Sequence, residues 1–386
     1  MTKDVRNEWL LILLLVLLVV FSILLVDDFM KNQEVKTGEE DSYQKAVKGN
    51  VVRVIDHKEV ESQHSTLDTE YAWETQVLEI LVLEGPHKGE RLKAENIIDE
   101  RLAHSIEIKE NDRVLVYIEE DQRGKAIAVN VAGYSREIYL YLLIGSFALL
   151  LILVGAVKGI KSIITLSLTV GIIVKILLPL ILSGQSPLLV SILCCVVIIA
   201  ITLVIIGGVN KKTFSAIVGT TGGVFFAGLI AYLMGTLTKL SGLGDDEAQM
   251  LVYIPQDISL DFRGLLFAAI LIGTLGAVMD VGMSIASAMN EIEDKKPEIT
   301  SRELIKSGMN IGRDIMGTMS NTLILAYTGS SLHLMLLMMA YNIPFLEIIN
   351  QDMIATEVVR AIAGSMGLIL SIPLTALVAA TVGRKW

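Results

Sequence analysis

The chain has 386 residues, of which 53% are hydrophobic and 19% charged, and its mean hydropathy is +0.60. A soluble chain carries about a quarter charged residues, whereas here apolar runs of about 20 residues recur, long enough for a hydrocarbon core of about 30 Å; a soluble globular enzyme, a disordered scaffold and a basic nucleic-acid binder are excluded. The net charge of −10 belongs to one segment, because residues 27–137 hold 15 basic and 25 acidic side chains and the remainder 17 of each.

The first apolar run, Trp9 to Val26, lies between Lys3 and Arg6 on one side and Asp27-Asp28 on the other. It is long for a signal peptide and no small-x-small cleavage site follows, so residues 1–26 read as an uncleaved anchor helix. Residues 27–137 read as β. Val47–Asp56, Trp73–Leu83, Glu90–Ile97, Arg113–Ile118 and Ala126–Val131 are strand candidates, mostly rich in Val and Ile and separated by turns such as Gly85-Pro86 and Asn111-Asp112. Five short strands in that length predict a small barrel of the oligonucleotide/oligosaccharide-binding type. The segment has no basic groove with stacking aromatics, so no nucleic-acid partner is expected.

Seven further runs follow in 138–386, at about 138–157, 162–182, 188–208, 214–237, 264–286, 316–340 and 361–382. The expected fold is therefore membrane all-α, with about eight transmembrane helices and a small extracytoplasmic β domain after the first. Orientation follows from Lys and Arg. With the N-terminus cytoplasmic, thirteen basic residues fall in inside segments, and only Lys239, Arg263 and Arg360 fall in short outside loops. Both termini are expected inside the cell membrane and 27–137 outside. The long stretches 245–263 and 341–360 are expected along the outer interface, the second with helical spacing at Phe345, Ile348, Ile349 and Met353. Thr300 and Glu303 form a capping box that opens a helix leading into the seventh span.

The fifth and sixth spans are rich in glycine, at Gly219, Gly222, Gly223, Gly228, Gly235, Gly273, Gly276 and Gly282. Their commonest role in a membrane is close helix packing. Ionisable groups say more, because a charge at the bilayer centre costs at least about 2.5–3.5 kcal/mol. Lys175 is long enough to snorkel to the interface. Asp280 is not, so it must be protonated, paired or hydrated. The returning span brings Arg313, Asp314, Asn321 and Thr322 towards its depth. These five residues are the expected ion or proton relay, with an Asp280–Arg313 ion pair as the structural alternative.

Gly242-Leu243-Gly244-Asp245 matches the GxGD of intramembrane aspartyl proteases. Asp245, however, falls in a polar loop, Asp280 near the opposite face, and the partner aspartate precedes GxGD in those enzymes. Asp245, Asp246 and Glu247 read instead as the start of an interfacial helix, and they are a second candidate site. HExxH, GxSxG and the Walker lysine are missing, and His333 has only Ser331 beside it. Adjacent Cys194 and Cys195 give neither a disulfide framework nor zinc spacing. No catalytic residue, cofactor-binding residue or metal ligand is singled out.

Gly242-Leu243-Gly244-Asp245-Asp246-Glu247, Leu260-Asp261-x-Arg263-Gly264, Gly312-Arg313-Asp314, Asn321-Thr322-Leu323 and Leu325-Ala326-Tyr327-Thr328-Gly329, with the order anchor, β domain and seven spans, resemble the YibE/F-like membrane proteins. Gly276-x-x-x-Asp280 followed by Ser320-Asn321-Thr322 is similar to part of the resistance-nodulation-division superfamily, and this likeness implies proton relay by the aspartate. The expected function is a secondary transporter or permease of a small solute or ion, proton- or cation-coupled. The alternative is a non-transporting assembly or sensor protein whose outer domain binds a partner or envelope ligand. The expected partners are the lipid bilayer and, within it, a homo- or hetero-oligomer.

Overall fold

A computed structural model describes residues 3–32, 46–61, 72–98, 106–121, 123–253 and 260–381. Arg384 and Lys385, which contribute to the basic bias, lie outside them. The chain divides into two compact units, Gly38–Leu150 and Met1–Thr37 with Leu151–Trp386.

The smaller unit holds five strands: β1 (Val47–Glu61), β2 (Ala72–Val82), β3 (Arg91–Ile98), β4 (Arg113–Glu120) and β5 (Ala126–Tyr134). They close into a barrel in the order β1-β2-β3-β5-β4. β1 pairs antiparallel with both β2 and β4, while β3 meets β5 in parallel at Glu95 and Asn130. Period-two alternation sets the register: Gln76, Leu78, Ile80 and Val82 of β2 are all buried, and the residues between them are not. Leu78 and Ile80 meet Val51, Ala94, Ile108, Val114, Val116 and Val129 in the core.

Gln76 is polar at a core position, and hydrogen bonds resolve that conflict. Its Oε1 accepts from the Ile108 backbone N–H at 3.0 Å, and its Nε2 donates to the Ile108 carbonyl at 3.2 Å. Asn96 Nδ2 donates both to Gln76 Oε1 at 2.9 Å and to the Ile106 carbonyl at 2.7 Å. Two buried amides thus tie the segment before β4 to the barrel wall.

The expected strands are all present, each within a few residues of its expected limits except β1, which runs on to Glu61.

Two left-handed glycines, Gly85 (φ 85°) and Gly89 (φ 88°), shape the turn between β2 and β3. The turn buries His87 at 6% exposure, with Nδ1 3.0 Å from Glu90 and Nε2 3.1 Å from Glu120. The bond to Glu90 is the main cause that raises the His87 pKa above its ordinary 6.5, outweighing desolvation, and Glu120 adds to it.

In the larger unit α1 spans Lys3–Asn32. α2 (Glu137–Ile172) passes through one π-helical turn, Ile173–Leu177, into α3 (Leu178–Leu182). After these come α4 (Pro187–Gly207), α5 (Lys211–Leu237), the short α6 (Asp246–Met250), α7 (Phe262–Lys295), α8 (Ser301–Ser330), α9 (Leu332–Ala340), the short α10 (Phe345–Asn350) and α11 (Asp352–Thr381). The capping box at Thr300 and Glu303 is formed. Lys175 stands exposed on the π-helical turn.

Among the described residues, six helices are long and apolar enough to cross a membrane, or seven if α8 and α9, bent by 57°, count as one. The eight expected runs differ from this at one place. Runs 138–157 and 162–182 form one stretch of 46 residues, about 69 Å at 1.5 Å per residue. It breaks at Ala156 (φ 46°, ψ −122°), and the chain folds back so tightly that a Cβ on Gly159 would overlap the Leu151 carbonyl oxygen. The break falls at the end of the first of the two expected runs.

Close packing is the main role of the span glycines, as expected. A Cβ on Gly223 would lie 2.6 Å from Ser371 Cβ and 2.8 Å from the Gly367 carbonyl oxygen, and one on Gly367 would lie 2.5 Å from Ala227 Cβ. α5 and α11 therefore touch backbone to backbone. Gly276 is the exception, because a Cβ there meets nothing within 4 Å.

The His87 contacts predict a pH-dependent barrel. A raised folded-state pKa contributes stability that is fully present below the unfolded value and is lost as pH rises through the folded value. Residues 40–134 expressed alone should melt cooperatively, with a lower midpoint at about pH 9 than at about pH 6. His87→Gln should flatten this difference in a circular-dichroism melt.

Candidate functional site

Two places in the helical unit gather polar groups. The first is the α7–α8 face. On α7 the exposed positions Ala269, Gly273, Gly276, Asp280 and Ser284 form one stripe at helical spacing, while Val278, Val281 and Ile285 turn into the core. Asp280 thus stands on the bundle surface near the middle of a helix of 34 residues. α7 continues to Lys295, so about 22 Å of helix follows Asp280.

Gly273 packs against Tyr327 and Met289 against Gly308, so α7 and α8 run antiparallel. By interpolation Asp280 is level with about residue 319. Thr318, Asn321 and Thr322 are therefore the neighbours in depth, and Arg313 and Asp314 lie further along α8. Thr322 donates to the Thr318 carbonyl, and Arg313 donates to Asn310 at 3.1 Å on its own helix. Among the described residues no hydrogen bond or ion pair joins Asp280 to Arg313, Asn321 or Thr322. Asn310, Arg313, Asp314, Gly317, Thr318, Asn321 and Thr322 are all exposed and form a polar face on α8, whose opposite side buries Leu304, Gly308, Gly312 and Leu323.

The second place lies where residues 241–253 meet the start of α11. Gly242 (φ 79°) allows a turn in which a Cβ would overlap the Phe262 carbonyl. The turn is pinned on both sides: Ser241 Oγ donates to Asp352, and Arg263 Nε donates to the Leu240 carbonyl at 2.7 Å. Gly244 lies against α11, where a Cβ would be 3.2 Å from Met353 Cα. This brings Asp245 Oδ2 to 3.6 Å from Arg360, whose other amino group is held by Glu357. Asp245, Glu247, Thr356 and Arg360 line a cleft of about 630 Å³, open mouth included, with Ala248, Leu251, Leu265, Leu266 and Ala269. Asp246 is exposed in the first turn of α6 and does not line it.

Sequence reasoning missed Thr356, Glu357, Arg360 and Tyr327 as a group. The available signal was Glu357 and Arg360 at i, i+3 in an otherwise apolar helix, which seldom carries a charge pair without use. The Tyr327 hydroxyl is buried beside Gly273 and has no hydrogen-bond partner among the described residues. Among the described residues no group of three or more His, Cys, Asp or Glu could hold a metal ion.

Repeated apolar helices joined to a closed five-stranded barrel define a multi-pass membrane protein, embedded in a lipid bilayer. The description "YibE/F-like protein" matches residues 143–385, and "YibE/F family N-terminal domain" matches 42–134. The chain belongs to the YibE/F-like family. The likeness of residues 276–322 to the resistance-nodulation-division superfamily has no counterpart in these matches. No curated protein and no solved structure matches the chain.

Proposed function

We propose that the chain is a secondary permease for a small solute or ion, coupled to a proton or another cation, with Asp280 as the group that takes up and releases the coupling ion. It carries out no covalent chemistry. The observation that carries this reading is the setting of Asp280: a carboxyl group midway along a membrane helix, with no ion-pair or hydrogen-bond partner among the described residues. Intramembrane ionisable groups mark ion pathways unless paired for structure. The stripe supports it further. Seven residues separate Gly273 from Asp280, about 10 Å along α7, and Gly276 between them leaves open space. Tyr327 lies against Gly273, and Thr318, Asn321 and Thr322 supply hydroxyl and amide groups on α8 at about the depth of Asp280.

With this goes an orientation: both termini cytoplasmic and the barrel extracytoplasmic, supported by the thirteen-to-three distribution of Lys and Arg. In a background with Cys194 and Cys195 replaced by serine, a cysteine at Lys88 should react with an impermeant thiol reagent on intact cells. One at Lys296 should react only after permeabilisation, and labelling of Lys296 from outside would reverse the orientation.

Asp280→Asn keeps the shape and removes the titrating proton. In proteoliposomes assayed over a panel of ions and metabolites, the wild type should show pH-gradient-dependent uptake of at least one. The variant should insert normally and lose that uptake by at least tenfold. Full uptake by a stably inserted variant would remove Asp280 from the mechanism.

A further inference from the structure

We infer that the cleft between the Gly242–Asp245 turn and α11 binds a small zwitterion, an amine and a carboxylate on one apolar body of amino-acid size. The back of the cleft offers donors. Thr356 is 2% exposed and packs against Gly244, where an added Cβ would lie 3.4 Å from its Oγ1, and among the described residues its hydroxyl has no partner. Arg360 gives its two terminal amino groups to Glu357 and Asp245 but leaves Nε–H buried without an acceptor among the described residues. Thr356 and Arg360 are one helical turn apart on α11, so both donors lie on one side of the helix. Buried donors without acceptors cost about 1–3 kcal/mol each, and a carboxylate is the acceptor that suits a guanidinium best.

The mouth offers the opposite charge. Glu247 is exposed, and the Asp245 side chain is 46% exposed beyond its contact with Arg360. Counting Glu357 behind them, three carboxylates face one guanidinium, so an anion alone would leave the rim uncompensated. A bare metal ion does not fit either, since the acids do not converge as a ligand set. A ligand with an ammonium towards Asp245 and Glu247 and a carboxylate towards Thr356 and Arg360 satisfies both ends. Between them Ala248, Leu251, Leu265, Leu266 and Ala269 form an apolar floor, which suits an aliphatic body.

This inference stands apart from the permease reading, because it concerns binding and is read without flux. Purified full-length protein in detergent would be immobilised and titrated with radiolabelled L-leucine, with L-alanine and alanyl-alanine as unlabelled competitors. Saturable binding of one leucine per chain is expected, displaced by the zwitterions and at least tenfold less well by isopentylamine or 4-methylpentanoate. Arg360→Gln should weaken binding at least tenfold. Because that change breaks two ion pairs, Thr356→Val is the safer companion: it keeps the shape, removes only the hydroxyl, and should weaken binding about threefold or more. Three outcomes would each overturn the proposal: no saturable binding of any of the three zwitterions, displacement by the amine alone as effective as by leucine, or unchanged affinity in Thr356→Val. Loss of flux in Asp280→Asn with binding retained would keep the two sites separate.

Discussion

The helical unit depends on one close approach, that of the α5 and α11 backbones through Gly219, Gly223 and Gly367. In hydrocarbon no hydrophobic force drives helices together, so dispersion between well-fitted surfaces must do it, and that needs small residues. α11 is placed by this contact, and it also packs on α7 through Gly364 against Thr274 and on α8 through Ile372 against Gly312. Asp280, Tyr327, Thr356, Glu357 and Arg360 are carried by α11 or by a helix packed on it, and Asp245 follows the turn pinned to its first residue. The glycines of α5 and α11 thus serve the sites indirectly, by fixing where their side chains stand.

The two polar sites solve the problem of charge in an apolar body in opposite ways. Around Arg360 the charges are gathered, with Glu357 and Asp245 sharing one guanidinium and the Glu357 and Arg360 side chains largely shielded from solvent. Removing one partner from such a group leaves an uncompensated charge, so the group is rigid by necessity. Asp280 has no such partner among the described residues and stands on an open stripe. A group without a fixed partner is free to exchange a proton or an ion, whereas a committed one recognises and holds. The division of labour proposed for the two sites follows from this difference.

Much of the fold was legible in the sequence because its signals are local. Stretches rich in Val and Ile, with the turns Gly85-Pro86 and Asn111-Asp112, marked the strands; the apolar runs marked most of the helices; Thr300 and Glu303 marked the start of α8. The bend between α8 and α9 was not legible, because Ser331 is an ordinary residue inside one expected run, whereas the break at Ala156 coincides with the end of an expected run. The depth of Arg313 relative to Asp280 was likewise hidden, because it depends on the antiparallel register set by Gly273 with Tyr327 and Gly308 with Met289. The Arg360 cleft joins residues more than 100 positions apart in the chain, and only its Glu357–Arg360 spacing left a trace.

The central claim is that Asp280 exchanges a proton with water from within the membrane unit. Infrared difference spectroscopy of the full-length protein in lipid, stepped in pH, reads this directly. The account predicts a carboxylic-acid carbonyl band that appears and disappears with pH in the wild type and is missing from Asp280→Asn. A spectrum with the same titrating bands in both proteins, or with no titrating carboxyl that Asp280→Asn removes, would contradict it.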